Sequence, residues 1–304
     1  MKTYISLFSS AGVGCYGFKL NKFNCIATNE ILEKRLNIQK LNKICRHNSG
    51  YILGDIRDEK VKSKIKDEIK FWKKQYNIKG PDVLIATPPC QGMSVANHKK
   101  KDEISRNSLV VESIIQTKEI KPMFFLYENV QSFLKTICTD VDGVNKTIKS
   151  VIKIHLSGDY NILFKKINFK NYGSNSSRTR VLVVGVRKDL INLSPFDIFP
   201  SKKKSKTLKE SISSLKKLNV MGEISEDYLH SFRSYDKRMM NWIINLKEGQ
   251  SAFDNKLIEE IPHRIIDGKI VINKRGNGDK YKRCSWNRSG PCIHTRNDIL
   301  ASQN

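Results

Sequence analysis

The sequence has few acidic residues. Its 304 residues include 30 Asp and Glu against 55 Lys and Arg, which leaves a formal charge of +25. A chain this basic fits a polyanionic partner, and nucleic acid is the first candidate. A lysine-rich, AT-biased genome is the alternative explanation, and the many Lys, Asn and Ile residues fit it. Composition does not separate DNA from RNA.

The sequence also lacks paired cysteines. None of its seven cysteines forms a CxxC pair, which argues against a disulfide framework or a zinc cluster. We therefore expect no metal, a reducing compartment such as the bacterial cytoplasm (the source being a bacterium or a phage), and one cysteine, Cys90, available for chemistry. The other six are interpreted as scattered thiols: Cys15, Cys25, Cys45, Cys138, Cys284 and Cys292.

Long apolar runs are absent as well. No run approaches the roughly 20 residues that span a bilayer, so we expect no membrane partner. The short apolar stretch after Met1 continues into a turn containing Gly12, Gly14 and Gly17 instead of a small-residue cleavage site, and we interpret it as the first strand. An apolar fraction of 39% is enough for a sizeable core. The length suggests about two domains.

Short apolar runs alternate with helical segments up to about residue 190. This alternation predicts an α/β fold with a doubly wound, mostly parallel sheet. Ligands bind such sheets at the carboxyl ends of the strands. The pattern predicts strands over 4–8, 25–28, 51–53, 82–86 and 123–127, helices over 61–76 and 109–120, and a terminal antiparallel pair over 162–169 and 181–186.

The character of the sequence changes after about residue 190. Thr207 and Glu210 have the spacing of a helix capping box. Apolar residues at helical spacing predict a helix over 228–246, and 270–272 is typical of a short strand. We therefore predict a larger region over 1–190 and a smaller one over 191–304.

Two prolines precede a cysteine directly after the predicted strand over 82–86. Pro88 and Pro89 stiffen the chain and hold Cys90 at the carboxyl edge of the sheet. A cysteine there is a candidate nucleophile. A small buried thiol is the commoner role of cysteine, but the Pro-Pro-Cys-Gln context favours the nucleophile.

Three motifs follow one another in an order typical of one enzyme family. Pro88-Pro89-Cys90-Gln91 is followed one strand later by Glu128-Asn129-Val130, and Arg178-x-Arg180 precedes the last strand. Over most of its length the sequence resembles the DNA (cytosine-5)-methyltransferases of bacterial restriction-modification systems. The resemblance implies a class I S-adenosylmethionine-dependent methyltransferase fold, double-stranded DNA as substrate, and base flipping.

The resemblance gives roles to four candidate catalytic residues. Cytosine C5 is a poor nucleophile toward a sulfonium methyl, and addition of a Cys90 thiolate to C6 activates it. Glu128, when it holds a proton, is the acid at N3, and Arg180 contacts O2 and steadies Glu128. Arg178 is expected to support the active site or to contact a phosphate. The alternatives are that Glu128 is a surface or helix-capping carboxylate and that Arg178 and Arg180 are solvated arginines. The sequence does not identify the base that removes the C5 proton, and water is one candidate.

The expected S-adenosylmethionine site follows the first three strands. The loop after the first strand resembles the family's Phe-x-Gly-x-Gly loop, although Ser10 and Val13 stand where glycines are usual. On this resemblance, Glu30 accepts two ribose hydroxyl bonds and Asp55 pairs with the adenine amino group; alone, each is also compatible with a helix cap. The expected cofactor-binding residues are Phe8, Ser10, Gly12, Gly14, Glu30, Asp55, Ile56 and Pro88.

The sequence departs from the family's pattern at two further places. Ser176 stands where the arginine motif normally begins with glutamine. We expect an adapted loop there and not an inactive site. The family's Arg-Glu-rich helix and Asn-x-Val-Pro segment are not found after the stretch from Ser289 to Ile293. We expect either that a second polypeptide supplies these segments or that the gene product is truncated.

The resemblance makes 1–190 the catalytic, S-adenosylmethionine-binding domain and 191–304 the target-recognition region, incomplete at its C-terminus. Two alternatives remain. A tRNA cytosine-5 methyltransferase would use the same chemistry, and the sizeable lysine-rich region argues mildly against it. An inactive DNA-binding remnant is disfavoured by the intact Cys90, Glu128, Arg178 and Arg180. Residues expected to contact phosphate are Lys202, Lys203, Lys204, Arg233, Lys237, Arg238, Lys274, Arg275, Lys282 and Arg283.

Overall fold

The computed structural model describes residues 1–89, 104, 107–274 and 281–292, and Cys90 lies outside them. The chain forms two compact units. The first contains residues 1–167 and 179–199, and the second contains 168–178 and the described residues from Pro200 onward. The division after Phe199 and the excursion 168–178 were not expected from the sequence. The catalytic and target-recognition roles of the two regions stay predictions.

Strands and helices alternate through the first unit, and short elements follow in the second. The strands within the described ranges are β1 (Thr3–Leu7), β2 (Asn24–Glu30), β3 (Tyr51–Leu53), β4 (Val83–Ala86), β5 (Phe124–Asn129), β6 (Ile137–Thr139), β7 (Asn145–Thr147), β8 (Tyr160–Asn168), β9 (Ser176–Ser177), β10 (Thr179–Arg187), β11 (His263–Ile266), β12 (Lys269–Ile272) and β13 (Gly290–Pro291).

The α-helices within the same ranges are α1 (Val13–Leu20), α2 (Glu33–Leu41), α3 (Glu59–Tyr76), α4 (Leu109–Ile120), α5 (Ile148–Leu156), α6 (Leu208–Ile212) and α7 (Lys237–Ile243). Short 3-10 helices cover Asn48–Gly50, Phe133–Lys135, Phe169–Asn171, Ala252–Asp254 and Ile258–Glu260.

A seven-stranded sheet organises the first unit, in the order β3-β2-β1-β4-β5-β10-β8. The five strands from β3 to β5 are parallel to their neighbours, and β10 runs antiparallel to β5. The direction of strand order reverses between β1 and β4, which is where ligands bind in such sheets. This confirms the predicted α/β fold with a mostly parallel sheet.

The central strands are buried along most of their length because both faces of the sheet are covered. Ile5, Ile26, Leu84 and Phe125 are fully buried in one continuous core. Helix α3 covers this core with Ile65, Ile69 and Trp72, as its spacing predicted. The core therefore fixes the positions at which the strands end.

The segment after β1 differs from the expected glycine turn. Only residues 8–12 form the turn, because the Cys15 amide donates to the Gly12 carbonyl at 3.0 Å and begins helix α1. Gly14 and Gly17, predicted in the turn, both lie inside α1. Gly14 is exposed there.

The second unit has a small core built around Trp242, Leu246 and Ala252. The predicted capping box at Thr207 and the strand near residue 270 are confirmed. The predicted helix over 228–246 is wrong, because only α7 forms. Asp236 caps α7 by accepting a hydrogen bond from the Met239 amide at 2.7 Å. Side chains of this type favour caps and turns over helix interiors.

Candidate active site

The loop after β1 has an unusual backbone. Phe8, Ser10 and Gly12 have φ values of 55°, 49° and 81°. Glycine suits position 12 because an added Cβ would lie 3.0 Å from the Gln39 Cγ in a strained conformation. Ser10 adopts the same left-handed region without being glycine, at the position where the family usually has one. The loop therefore keeps a tight turn despite that departure.

Gln39 holds this loop in place from helix α2. Its buried amide nitrogen donates to the Ser9 hydroxyl at 2.8 Å and to the Ser10 carbonyl at 2.6 Å. On the other side, the Thr87 hydroxyl donates to the Phe8 carbonyl at 3.0 Å. Gln39 was not predicted from the sequence. It is a polar residue in a mostly polar helix, and no sequence pattern marks it as buried.

Glu30 ends β2 and lies against the same loop. Its side chain is only 5% exposed, and it accepts hydrogen bonds from the Ser10 amide at 2.8 Å and the Leu32 amide at 3.0 Å. Arg35 lies 3.8 Å from it. An ionised carboxylate has about four acceptor positions, so Glu30 retains capacity for hydroxyl donors of a ligand.

Asp55 follows β3, next to the buried Ile56. The Asn29 amide nitrogen donates to the Gly54 carbonyl at 3.0 Å and joins the ends of β2 and β3. Asp55 itself forms an ion pair with Arg57, at 2.6 Å. Hydrogen bonds from the Arg57 side chain hold the pKa of Asp55 below its usual value. The carboxylate is therefore an anionic acceptor at the sheet edge, shared with Arg57.

Pro88 follows β4 and is buried. Its carbonyl accepts a hydrogen bond from the Asn129 amide nitrogen at 3.0 Å, and the Asn129 oxygen accepts from the Val130 amide at 2.8 Å. Asn129 thus joins the segment that leads to Cys90 to the end of β5. From the sequence, Asn129 was recognised as part of a motif, but no role for its side chain was predicted.

Glu128 and Arg180 form an ion pair at the end of β5. Strand β10 pairs with β5 so that Leu182 lies opposite Glu128. The Arg180 Nε lies 2.9 Å from the Glu128 Oε1, and its Nη1 donates to the Thr179 carbonyl at 2.8 Å. Both side chains are mostly covered, at 18% and 26% exposure. The pair is held rigidly by the two strands.

Arg178 has different partners from Arg180. It lies between β9 and β10 and belongs to the second unit. Its amide donates to the Asn168 side-chain oxygen at 3.2 Å, and its guanidinium donates to the Cys292 sulfur at 3.3 Å. The structure therefore separates two arginines that the sequence presents as one motif.

Most of the expected site residues lie at one edge of the sheet. Residues that follow parallel strands meet at the strands' carboxyl ends. Within the first unit, this edge carries Phe8, Ser10, Gly12, Glu30, Asp55, Ile56, Pro88 and Glu128, with Arg180 paired to Glu128.

The described residues contain neither a membrane-spanning helix nor a metal-binding cluster of side chains. None of the helices there is both long and apolar enough to cross a membrane. No group of three or more His, Cys, Asp or Glu side chains within the described ranges is arranged to hold a metal ion.

Comparison with known proteins agrees with this geometry. A crystal structure from E. coli, described as a prophage-encoded DNA modification methyltransferase, matches with a TM-score of 0.51 and 24% identity, over 74% of this chain and 58% of that one. That likeness shows the methyltransferase fold. The sequence profile of the C-5 cytosine-specific DNA methylases matches residues 2–299. The chain belongs to that family.

Two similar proteins are named type II methyltransferases. M1.HgaI of Avibacterium volantium is 30% identical over 309 residues, which cover 98% of this chain and 78% of that protein. M.FnuDI of Fusobacterium nucleatum is 34% identical over 215 residues, covering 70% of this chain and 55% of that protein. The chain is therefore similar to enzymes of restriction-modification systems, and some of those enzymes are considerably longer.

Proposed function

We propose that this chain transfers a methyl group from S-adenosylmethionine to C5 of cytosine in double-stranded DNA, through a covalent adduct between Cys90 and C6. One observation carries the proposal. The Asn129 amide links the Pro88 carbonyl, two residues before Cys90, to the strand that presents Glu128. The nucleophile segment and the acid-arginine pair are thereby anchored to one strand end.

The chemistry divides among three residues. The Cys90 thiolate forms a bond to C6, and the displaced electron pair moves toward N3 and O2. Glu128 gives a proton at N3, and Arg180 stabilises the charge at O2. C5 is then nucleophilic. After C5 carries the methyl group, a base removes the C5 proton, the N3 proton returns to Glu128, the C6–S bond breaks, and Cys90 leaves as a thiolate.

The target cytosine has to leave the DNA stack for this chemistry. Attack on C6 comes from above the ring, a face that neighbouring bases cover in a duplex. Extruding the base costs a few kcal/mol. The mostly covered Glu128–Arg180 pair offers the extruded base a preformed acid and cation.

The residues of the sheet edge fit the cofactor. Glu30 keeps acceptor positions for ribose hydroxyls although it is nearly buried, and Asp55 offers an acceptor to the adenine amino group. The half-buried Phe8 provides apolar surface beside them, and Ile56, which follows Asp55 in sequence, is buried in the core. S-adenosylmethionine, when bound, supplies an electrophilic methyl group. The tight turn at Ser10 and Gly12 brings the backbone next to Glu30, and Gly14, near the start of α1, has no side chain to obstruct a ligand there.

The test is an assay of methyl transfer with labelled S-adenosylmethionine. We expect 5-methylcytosine in unmodified genomic DNA and none in tRNA. A parallel arm contains a polypeptide with the Arg-Glu-rich helix and the Asn-x-Val-Pro segment, because the dependence on a second polypeptide stays a prediction. Product in DNA in either arm supports the proposal. Product only in tRNA, or in neither substrate in both arms, contradicts it.

We further propose that the methylation serves a restriction-modification system. The relatives named as type II methyltransferases support this role. It predicts a cognate endonuclease whose cleavage is blocked by this chain's methylation. The check is digestion of genomic DNA, with and without prior methylation, by endonucleases encoded beside the gene. Cleavage unaffected by methylation would contradict the role.

A further inference from the structure

A cleft of about 850 Å³ lies within the second unit. Three segments distant in sequence line it: residues 170–177, 202–207 and 287–289. We call it the basic cleft. Of its eleven lining residues, five are Lys or Arg and six are Ser, Thr or Asn. Acidic and apolar side chains are absent from this lining, so the cleft fits a ligand that is anionic and rich in hydrogen-bond acceptors.

The backbone of the basic cleft is held by hydrogen bonds between its segments. The Lys203 amide donates to the Asn171 carbonyl at 2.9 Å, and the Gly173 amide donates to the Lys203 carbonyl at 3.1 Å. The hydroxyls of Ser205 and Ser289 lie 2.6 Å apart. Strands β9 and β13 pair beside it. The cationic side chains therefore start from fixed positions.

The cations of the basic cleft have no anionic partners in the described parts of the chain. Lys170, Lys202, Lys203, Lys204 and Arg288 appear in none of the ion pairs found there. The nearby Glu210 is already engaged, since its Oε2 accepts from the Thr207 amide at 2.7 Å. Hydrogen bonds from Thr207 lower the pKa of Glu210, and the charges of Lys204 and Lys206 add to this effect.

A second cleft in the same unit gives a useful contrast. It measures about 830 Å³ and includes Leu215, Phe232 and Trp286 together with the acidic Glu248. Its aromatic and apolar walls suit flat or apolar groups. The lining of the basic cleft has no aromatic or apolar side chain and no acidic one. The contrast favours phosphate over nucleobase as the ligand of the basic cleft.

We propose that the basic cleft binds the phosphodiester backbone of double-stranded DNA, independently of base sequence. The proposal rests on the proposed function, which supplies DNA as the substrate. Lysine, arginine, serine and asparagine side chains make most protein contacts to phosphate oxygens, and such contacts position a protein on DNA. Lys202, Lys203 and Lys204 were expected to contact phosphate from sequence, whereas Lys170 and Arg288 were not.

The test compares two triple variants of the full chain. In the first, Lys202, Lys203 and Lys204 are changed to Gln. In the control, the exposed Lys64, Lys73 and Lys74 of helix α3 are changed to Gln, which removes the same charge from the first unit. Kd for a random-sequence DNA duplex is measured over a series of salt concentrations. A third variant with three Arg residues at 202–204 tests rescue by retained charge.

Each phosphate contact changes the slope of log K against log salt by about 0.9. For the cleft variant we expect the slope to fall in magnitude by about 2 to 3 and the affinity to fall about ten- to a hundredfold. The Arg variant and the α3 control should stay near wild type. Circular dichroism and the thermal midpoint verify folding. If the Gln triple unfolds, Arg288→Gln replaces it, with an expected slope change of about 0.9.

The outcomes separate the failure of this inference from failure of the proposed function. Equal losses in the cleft variant and the α3 control would overturn the cleft as a site, since only total charge would then matter. If the wild-type chain methylates DNA and the cleft variant binds DNA with unchanged affinity, only the inference about the basic cleft fails. Wild-type chain that neither binds nor methylates DNA would overturn both.

Discussion

The two units position their functional residues by different physical means. In the first, a continuous apolar core fixes a parallel sheet, and the candidate catalytic and cofactor-binding groups stand where its strands end. In the second, the buried cluster is centred on Trp242, Leu246 and Ala252, and hydrogen bonds between loops hold the basic residues. The comparison shows that packing fixes groups needing accurate geometry, whereas a network of loop hydrogen bonds suffices for charge.

The largest expected effect comes from removing the nucleophile. Cys90→Ser should reduce methylation by many orders of magnitude, because the C6 adduct cannot form without the thiolate. DNA binding should persist, since we assign it largely to the second unit. Methylation within about tenfold of wild type would disprove the mechanism. A duplex with 5-fluorocytosine at the target gives a second measurement. This duplex should form a covalent complex with the wild-type protein and none with Cys90→Ser.

The next effect concerns the proton at N3. Glu128→Gln keeps a hydrogen-bond partner for Arg180 but cannot give a proton. We expect kcat to fall by about 10²–10⁴-fold, with DNA affinity little changed. Glu119→Gln, which removes an exposed carboxylate paired with Lys66, is the matched control. If both variants lose activity equally, Glu128 has no special role.

A pair of tryptophan variants tests the contrast in packing. Trp72 donates to the buried Glu68 at 3.0 Å, so Trp72→Phe leaves that carboxylate without a donor. We expect the free energy of unfolding to fall by about 2–4 kcal/mol. Trp242 is equally buried, but its indole nitrogen has no partner among the described residues. Trp242→Phe should cost about 1–2 kcal/mol. Urea unfolding measures both, and the reverse order would undo the comparison.

The sequence predicted the sheet well because its central strands are buried on both faces. Strand β4 is a continuous apolar run, and the edge strand β3 and helix α4 have the predicted bounds. The motifs at strand ends could likewise be located, because a strand's end is a local property. Each of Glu30, Asp55 and Glu128 stands at the end of its strand as expected.

Contacts between distant segments could not be predicted. Gln39 holds the loop after β1 across about thirty residues of chain, and Asn129 holds Pro88 across 41. Neither partnership leaves a pattern in either segment alone. The shortened α7 has a local cause, since the Asp236 cap competes with the apolar spacing that predicted a longer helix. The departure of residues 168–178 into the second unit depends on tertiary pairing of β9 with β13.

A smaller effect is expected at the cofactor site. Glu30→Gln removes the charge that strengthens hydrogen bonds to ribose hydroxyls, and affinity for S-adenosylmethionine should fall about ten- to a hundredfold. Calorimetry measures this directly. Glu33→Gln, three residues further on in α2, is the matched control. Unchanged affinity in Glu30→Gln would remove Glu30 from the cofactor site.

The smallest effect is visible only in acid. Burial raises the pKa of Asp140, but hydrogen bonds from Lys146 and His155 outweigh it and leave the pKa below the usual 3.8. The stabilisation from ionised Asp140 is therefore present above pH 3.8 and lost as the pH falls through the lowered pKa. The difference in unfolding free energy between wild type and Asp140→Asn should shrink over that acid range. A difference independent of pH would show that Asp140 acts by packing alone.

Because residues 168–178 belong to the second unit, the two units are difficult to exchange separately between genes. The chain crosses between them three times, after residues 167, 178 and 199. A recombination event that exchanged only the segment beyond Phe199 would give the new module a foreign β9 to pair with β13. Functional chimeras should therefore require a two-piece exchange that moves residues 168–178 together with the later segment. Exchange of the second unit between related genes is accordingly constrained by how the gene can be cut and rejoined.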